Sequence, residues 1–346
     1  MDSNASRRRH QAAIIWILAA VSLLLAAGCL IIGSVDIPAD QIWAALTGGE
    51  IRRETWRVII IETRLPMMIT AAVAGAALSI AGLLLQTCFD NPLAGPSILG
   101  ISTGASLGVA VVMLAGGSFL GAGWSQYAGS IAGALTGSAI VMLILLAFAR
   151  VISSSVMILI IGVLVGYFAS SAISLLNFFA TQEGVHSYVI WGLGNFSGSS
   201  LGRTSVFALL TLPVIALSML FVKPLNALLL GARYAESLGI DIASLRRRLL
   251  IISGTLTAFI TAFCGPIGFI GLIVPHIARI ALRTSNHAIL LPATALTGTA
   301  IGLLCAFISA IPKSGGLIPI NAITPIIGVP VIIYVILFRK RLHYFS

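Results

Sequence analysis

The chain has 346 residues, of which 58% are hydrophobic and only 9% are charged. An ordinary soluble domain carries about 25% charged residues. The composition therefore excludes a water-soluble protein and indicates an all-α integral membrane protein, with residues 1–346 forming one transmembrane domain. The formal net charge of +10 does not indicate nucleic-acid binding, because the basic residues do not gather on one face or stripe.

The first apolar stretch, residues 12–33, follows three arginines at positions 7–9 and resembles a secretory signal. Its length of about 22 residues matches the ~20 that span a bilayer, rather than the 7 to 15 of a signal core. We expect a retained helix, with residues 1–11 in the cytoplasm.

Long apolar stretches predict about ten transmembrane helices. One of these stretches, 249–280, is interrupted by Gly265-Pro266-Ile267-Gly268 and is predicted to form two short helices. The other eight predicted spans are 12–33, 66–88, 98–115, 124–149, 156–180, 204–222, 288–311 and 322–338.

Two segments between the predicted spans carry more polar residues. Residues 34–65 are predicted to form a periplasmic connection. Residues 224–248 are too polar to span the bilayer and too apolar to float free, so they are predicted to lie at the cytoplasmic surface. This segment either docks a partner protein or lies on the lipid headgroups.

The basic residues set the orientation of the predicted helices. Ten helices that start in the cytoplasm place 14 of the 20 basic residues inside and six outside, as the positive-inside rule requires. Both termini are therefore predicted to be cytoplasmic, and no nucleic-acid partner is needed to explain the charge. The six outer residues are Arg52, Arg53, Arg57, Arg64, Arg203 and Lys313.

The sequence lacks the side chains by which this chain could itself drive transport through ion coupling or nucleotide hydrolysis. All ten acidic residues lie in termini, loops or helix ends, whereas ion-coupled carriers usually need an intramembrane carboxylate. There is no GxxxxGK[ST] nucleotide-binding loop. No metal-ligand spacing or catalytic pair is visible either. We expect a transporter subunit that is not an enzyme, driven by a separate ATPase; the alternative of a different class is an ion-coupled secondary transporter or a channel.

Small residues and prolines shape the predicted helix bundle. Glycines and alanines at 75–82 and 129–137 predict closely packed helices. Four helices in 66–180 and four in 249–338, entered from opposite sides, allow an inverted repeat. Pro92 and Pro96 force an irregular turn at membrane depth, either a structural kink or part of a pathway.

Several separated motifs resemble the permeases of ABC importers for ferric siderophores, haem and vitamin B12, the FecCD family. The resemblance covers about residues 55–338. The motifs are Arg64-Leu65-Pro66, the Gly75/Gly82/Gln86 spacing, Asn91-Pro92-Leu93-Ala94, Leu99-Gly100 with Gly104-Ala105, and the sequence GLIVPHIAR at 271–279.

The resemblance implies a BtuC-like permease fold and a homodimer with a central path in the bacterial inner membrane. It implies a periplasmic substrate-binding protein and two cytoplasmic ATPases as partners. ATP and Mg would bind to those ATPases, and this chain would bind no cofactor of its own. The implied cargo is an iron chelate, either a ferric siderophore or haem, with vitamin B12 as the alternative.

The resemblance also assigns residues on the outer side. Arg64 matches a rim arginine that pairs with an acidic residue of the binding protein. The family's next arginine is Met67 here, so Arg52, Arg53 and Arg57 are candidates to supply the missing charge. Such rim charges mainly tune the rate of docking.

On the inner side, Asn91 and Leu93 match the family's gate beside the path. The serines at 153–155 match a second gate element, or they simply end a helix. The helix at 156–180 resembles the path-lining helix, although packing explains its glycines equally well. The gate and path candidates are Asn91, Leu93, Ser153, Ser154, Ser155, Gly162, Gly166, Ser170, Ser174 and Asn177.

Residues 226–241 match the family's cytoplasmic coupling helices, with Gly239 at the break between them. The coupling candidates are Leu228, Ala232, Glu236, Leu238 and Gly239. His276 and Arg279 match the end of helix eight and would support the inner side. Arg279 could equally anchor a helix end at the cytoplasmic boundary.

Overall fold

The structure, a computed structural model, describes residues 2–115, 124–152, 154–198, 200–312 and 316–338. Every regular element in these ranges is helical. The helices are α1 Asp2–Ile31, α2 Ala39–Thr47, α3 Glu54–Ile59, α4 Leu65–Cys88, α5 Ile101–Ala110, α6 Trp124–Val151, α7 Ser155–Phe179, α8 Gln182–Gly192, α9 Leu201–Ser218, α10 Val222–Leu228, α11 Ala232–Ser237, α12 Ile242–Cys264, α13 Ile270–Leu282, α14 His287–Ser309 and α15 Ile320–Phe338.

Within the described ranges, seven helices are long and apolar enough to cross a membrane, and three further apolar helices are shorter. The shorter ones are Ile101–Leu114, Ile270–Leu282 and Ile320–Val335. The predicted division of 249–280 is confirmed, because α12 ends at Cys264 and α13 begins at Ile270. Gly265 makes the break with φ +78°, a conformation that favours glycine.

Helix α4 is the central element of the bundle, and small residues let its neighbours approach closely. Gly75 faces the backbone of Gly298 and Gly302 on α14, and Gly82 lies against the Gly271 carbonyl on α13. A Cβ atom at either position would overlap the facing backbone. The predicted close packing is confirmed, and contacts of this kind replace the hydrophobic drive that lipid does not provide.

Helix α7 lies at the edge of this body. It packs mainly against α5 and α6, and in α7 only Ile158, Leu159, Gly162 and Ala169 are buried. Large apolar side chains such as Phe168 and Phe178 are exposed. In a membrane protein, such a surface must contact lipid or another chain.

Two segments predicted to lie between spans are partly helical. The connection 34–65 is helical from Glu54 onward, because α3 runs into α4 through a π-helical turn at Ile60–Arg64. Of the segment predicted at 224–248, residues 229–241 lie between α10, which continues from α9, and α12, which begins at Ile242. Pro224 does not break α10, since its missing N–H falls in the first turn.

Candidate functional site

Two motifs that are far apart in sequence meet at the C-terminal end of α4. Gln86 Nε2 donates to the Leu272 carbonyl at 3.0 Å, and Gln86 Oε1 accepts from Arg279 Nη1 at 2.9 Å. His276 Nε2 lies 2.7 Å from the Pro92 carbonyl oxygen. Because a carbonyl only accepts, this nitrogen carries the proton and donates. His276 thus fastens the irregular turn to α13, and Gln86 joins α4 to the same helix.

The irregular turn, residues 89–100, is called the gate loop below. Asp90 has φ +46°, which is strained for a residue other than glycine. Asn91 Oδ1 accepts the backbone N–H of Leu93 at 2.9 Å, forming an Asx turn. Gly100 begins α5 with φ +73°, and a Cβ there would lie 2.7 Å from the Gly162 carbonyl oxygen. Close approach to α7 therefore requires glycine at position 100.

Cavities along α7 bring together the gate loop and the predicted path. Asn91 and Leu93 line a cavity of about 310 Å³ with the first half of α7. A second cavity, of about 220 Å³, lies further along α7 and includes Gly166 and Ser170 in its wall. Gly162 is explained by packing instead, since a Cβ on it would lie 2.9 Å from the Leu99 Cα atom.

The serines at the start of α7 have different placements. Ser154 caps the helix by accepting the Met157 N–H at 3.4 Å, which fits the helix-end alternative. Ser155 Oγ accepts a hydrogen bond from Arg246 Nη2 on α12 at 3.0 Å. Ser153 lies outside the described residues. Further along, exposed Ser174 donates to the Ser170 carbonyl of its own helix, and Asn177 is half-buried.

The sequence position of Arg64 had suggested an exposed guanidinium at the outer rim. In the structure this guanidinium is buried. The Arg64 side chain is 6% exposed and donates to the carbonyls of Leu30 at 2.7 Å, Ile31 at 2.9 Å and Val35. These are carbonyls at and beyond the C-terminal end of α1, which lack partners within the helix. Arg64 is thus a cap between two helices, and its docking role stays a prediction.

The other outer arginines are more accessible. Arg52 and Arg53 are exposed, and the Arg53 guanidinium lies 5.3 Å from the Trp56 ring centroid. Arg57 donates to the Gly49 carbonyl at 2.9 Å, which partly occupies it. Nearby, a hydrogen bond from the Gln41 amide lowers the pKa of the Asp40 carboxyl, so this outer surface carries both signs of charge. Docking by Arg52, Arg53 and Arg57 stays a prediction.

Exposed apolar side chains lie on and beside the short helix α11. In the segment 229–241, Leu230, Tyr234 and Leu238 are 64%, 51% and 58% exposed. We call these three residues the coupling surface. Tyr234 and Leu238 are four residues apart, which is the spacing of neighbours on a helical face, whereas Leu230 precedes the break at Gly231. The sequence prediction included only Leu238 of the three, and the helical spacing from Leu238 was the signal that could have found Tyr234.

The remaining coupling candidates need one correction. Ala232, Glu236 and Gly239 are exposed, as a docking role requires, but Leu228 packs against the core. The break between the two short helices lies at Gly231, with φ +99°, whereas Gly239 ends α11. Leu228 is turned inward because α10 continues the line of α9.

Comparison with known proteins identifies the family of this chain. The model of the FecCD transport family matches residues 17–338. The chain belongs to the FecCD transport family. It is therefore a multi-pass transport permease of the ABC importer type, and not an enzyme.

Named relatives and a solved structure cover nearly the whole FecCD chain. The vitamin B12 import system permease protein BtuC of Salmonella paratyphi A is 32% identical over 97% of this chain and 99% of its own length. The BtuC protein of Shigella boydii is 33% identical over the same shares. A structure described as an inward-facing metal-chelate type ABC transporter superposes with a TM-score of 0.81 at 28% identity, covering 95% of this chain and 99% of its own.

Proposed function

We propose that this chain is the membrane permease subunit of a binding-protein-dependent importer that carries an iron chelate, a ferric siderophore or haem, across the bacterial inner membrane. The observation that carries the proposal is the gate loop, whose Asn91 and Leu93 line a cavity with α7 while His276 holds the loop from behind. The metal-chelate type transporter of the same fold supports this cargo class.

The cavities along α7 suit a bulky cargo. Their walls consist of serine, threonine, asparagine, tyrosine, glycine and aliphatic residues, and none of the lining residues is charged. A wall with few strong binding groups allows a large molecule to leave as readily as it enters. Vitamin B12 is a second candidate cargo, because the BtuC relatives match this chain from end to end.

The assembly that we propose contains two copies of this chain, each crossing the membrane about ten times with both termini in the cytoplasm. The exposed apolar face of α7 meets the second copy across a central path. Two cytoplasmic ATPases, which bind ATP and Mg, dock on the coupling surface. The periplasmic binding protein docks near Arg52 and Arg53. Closure of the ATPases then moves the inner ends of the helices and shifts the gate loop between two arrangements.

Uptake by a reconstituted complex tests the proposal. The chain is placed in vesicles with its cognate ATPase and binding protein, and a ferric hydroxamate, a ferric catecholate, haem and cyanocobalamin are supplied in turn. We expect ATP-dependent accumulation of one iron chelate. Accumulation of cyanocobalamin alone would support the second cargo. Accumulation by this chain without any ATPase would favour an ion-coupled carrier and refute the importer.

A further inference from the structure

Three consecutive side chains at the end of α4 each contact a different helix. Gln86 is bonded to α13, as described above. Thr87, 5% exposed, bonds to His287 at the start of α14. Cys88 lies beside Arg246 of α12. The end of α4 is therefore a buried junction directly before the gate loop.

The Thr87 branch continues to the segment that carries the coupling surface. His287 Nε2 lies 2.9 Å from Thr87 Oγ1, and His287 Nδ1 lies 3.0 Å from Asn226 Oδ1 on α10. Asn226 Oδ1 also accepts the backbone N–H of His287 at 2.8 Å. Three residues on three helices thus form one continuous chain of hydrogen bonds.

The direction of each bond in this chain is determined by chemistry. The backbone N–H of His287 can only donate, so the oxygen of the Asn226 amide faces it. That oxygen can only accept, so His287 Nδ1 carries a proton, and in the neutral imidazole Nε2 is then the acceptor. Thr87 must then donate its hydroxyl proton to Nε2. In this arrangement both ring nitrogens of His287 have a hydrogen-bond partner.

Both ends of this chain of hydrogen bonds lie next to segments that would move together during transport, namely the segment 229–241 and the gate loop. Asn226 lies three residues before the segment 229–241, and its Nδ2 donates to the Asn286 cap of α14 at 2.9 Å. At the other end, the Thr87 carbonyl accepts the N–H of Asp90 at 3.4 Å, and the Gln86 carbonyl accepts that of Asn91 at 3.1 Å.

Resting on the function proposed above, we infer that Thr87, His287 and Asn226 form a positioning link that makes the gate loop follow the coupling surface. Apolar packing alone would hold these helices together without polar atoms, and each buried polar atom left without its partner costs stability. A fully satisfied polar chain has defined lengths and directions. It therefore transmits a displacement of α10 to the end of α4 more faithfully than sliding apolar contacts do.

The test follows the gate loop with a chemical probe. All four native cysteines are buried, so Leu93→Cys places one accessible thiol in the gate loop. The parent complex, with its ATPase in lipid nanodiscs, is labelled with a maleimide in the presence and absence of ATP and Mg. Thr87→Val is then added to remove the hydroxyl while keeping the shape. Thr70→Val is the matched control, because Thr70 is an equally buried threonine of α4 that bonds to Thr204, away from the coupling surface.

We expect ATP to change the labelling rate in the parent and in the Thr70→Val variant. In the Thr87→Val variant that change should shrink about fivefold or more, the lower end of typical coupling, while the thermal midpoint stays within a few degrees of the Thr70→Val value. Adding Asn226→Ala to Thr87→Val should reduce the response no further, because both changes break the same link.

Every other outcome contradicts either the link or the proposed function. A Thr87→Val complex that responds to ATP like the parent overturns the link alone. Equal losses in the Thr70→Val and Thr87→Val variants show a general packing effect and also overturn the link. A parent complex that binds its ATPase but shows no response to ATP overturns the proposed function, and the link with it.

Discussion

Arg64 shows at the scale of one residue how a charged side chain is accommodated at the end of a transmembrane helix. Its guanidinium provides donors to carbonyls that α1 leaves without intrahelical partners. The opposite end of α1 makes a similar contact, since Arg7 and Gln11 donate to the carbonyls of Arg283 and Leu282 at the end of α13. Long polar side chains thus donate hydrogen bonds to carbonyls at the ends of other helices.

The Arg64→Met substitution tests this capping role. It should lower the stability of the purified chain by about 3 kcal/mol, because buried carbonyls without a donor cost about 1 to 3 kcal/mol each. Thermal unfolding in detergent measures the change. Arg53→Met is the matched control on the exposed outer surface, where a change of within about 0.5 kcal/mol is expected. Normal stability of the Arg64→Met protein combined with slower docking of the binding protein would contradict the capping role and support the docking role.

At the scale of secondary-structure elements, glycine contacts determine how closely α4 approaches α13 and α14. Gly82 faces the carbonyl of Gly271, so any side chain must push the two helices apart. Overpacking of this kind costs about 1 to 3 kcal/mol or more.

We therefore expect Gly82→Ala to reduce both the yield of folded protein and its thermal midpoint. Gly202→Ala serves as the control, because a Cβ at that position of α9 meets no atom within 4 Å. Equal midpoints for the two variants in a thermal-shift assay would show that α4 and α13 can separate without cost.

The coupling surface gives a second prediction at the element scale. Leu230→Ser combined with Leu238→Ser should weaken ATPase binding by roughly tenfold per leucine, if each contributes about 1.5 kcal/mol of apolar burial. The thermal midpoint of the isolated permease should not change, since both side chains are exposed. Leu228→Ser should do the opposite and destabilise the permease, because Leu228 packs against the core. Binding of the ATPase to immobilised permease distinguishes the variants, and undiminished binding by the double variant would exclude this surface.

At the scale of the whole molecule, charge decides orientation and close packing decides shape. Basic residues at positions 7–9 and 246–248 lie on the side predicted to be cytoplasmic. We expect a protease-cleavable tag at either terminus to be cut only from the cytoplasmic face of sealed vesicles. A tag that is cut from opposite faces at the two termini would require an odd number of spans and would refute the proposed topology.

Much of the architecture follows from local chemistry. The apolar stretches, the break at Gly265 and the small-residue pairs depend on length, hydropathy and side-chain size, all of which are properties of neighbouring residues. The sequence also indicated that Gln86, Pro92, His276 and Arg279 belong to meaningful motifs, because their spacing resembles that of a known family. It did not show that these motifs touch one another.

The amino-acid sequence by itself determined the membrane class, the helical fold, the transport family and the region of the gate loop. Only the tertiary structure decided that Arg64 caps α1, that Leu228 faces inward while Leu230 is exposed, and that Asn226 reaches Thr87 through His287. The physical reason is that hydropathy and helix periodicity act over a few turns of chain. Hydrogen bonds between helices depend on how distant segments are placed and rotated about their axes, and packing alone sets that placement.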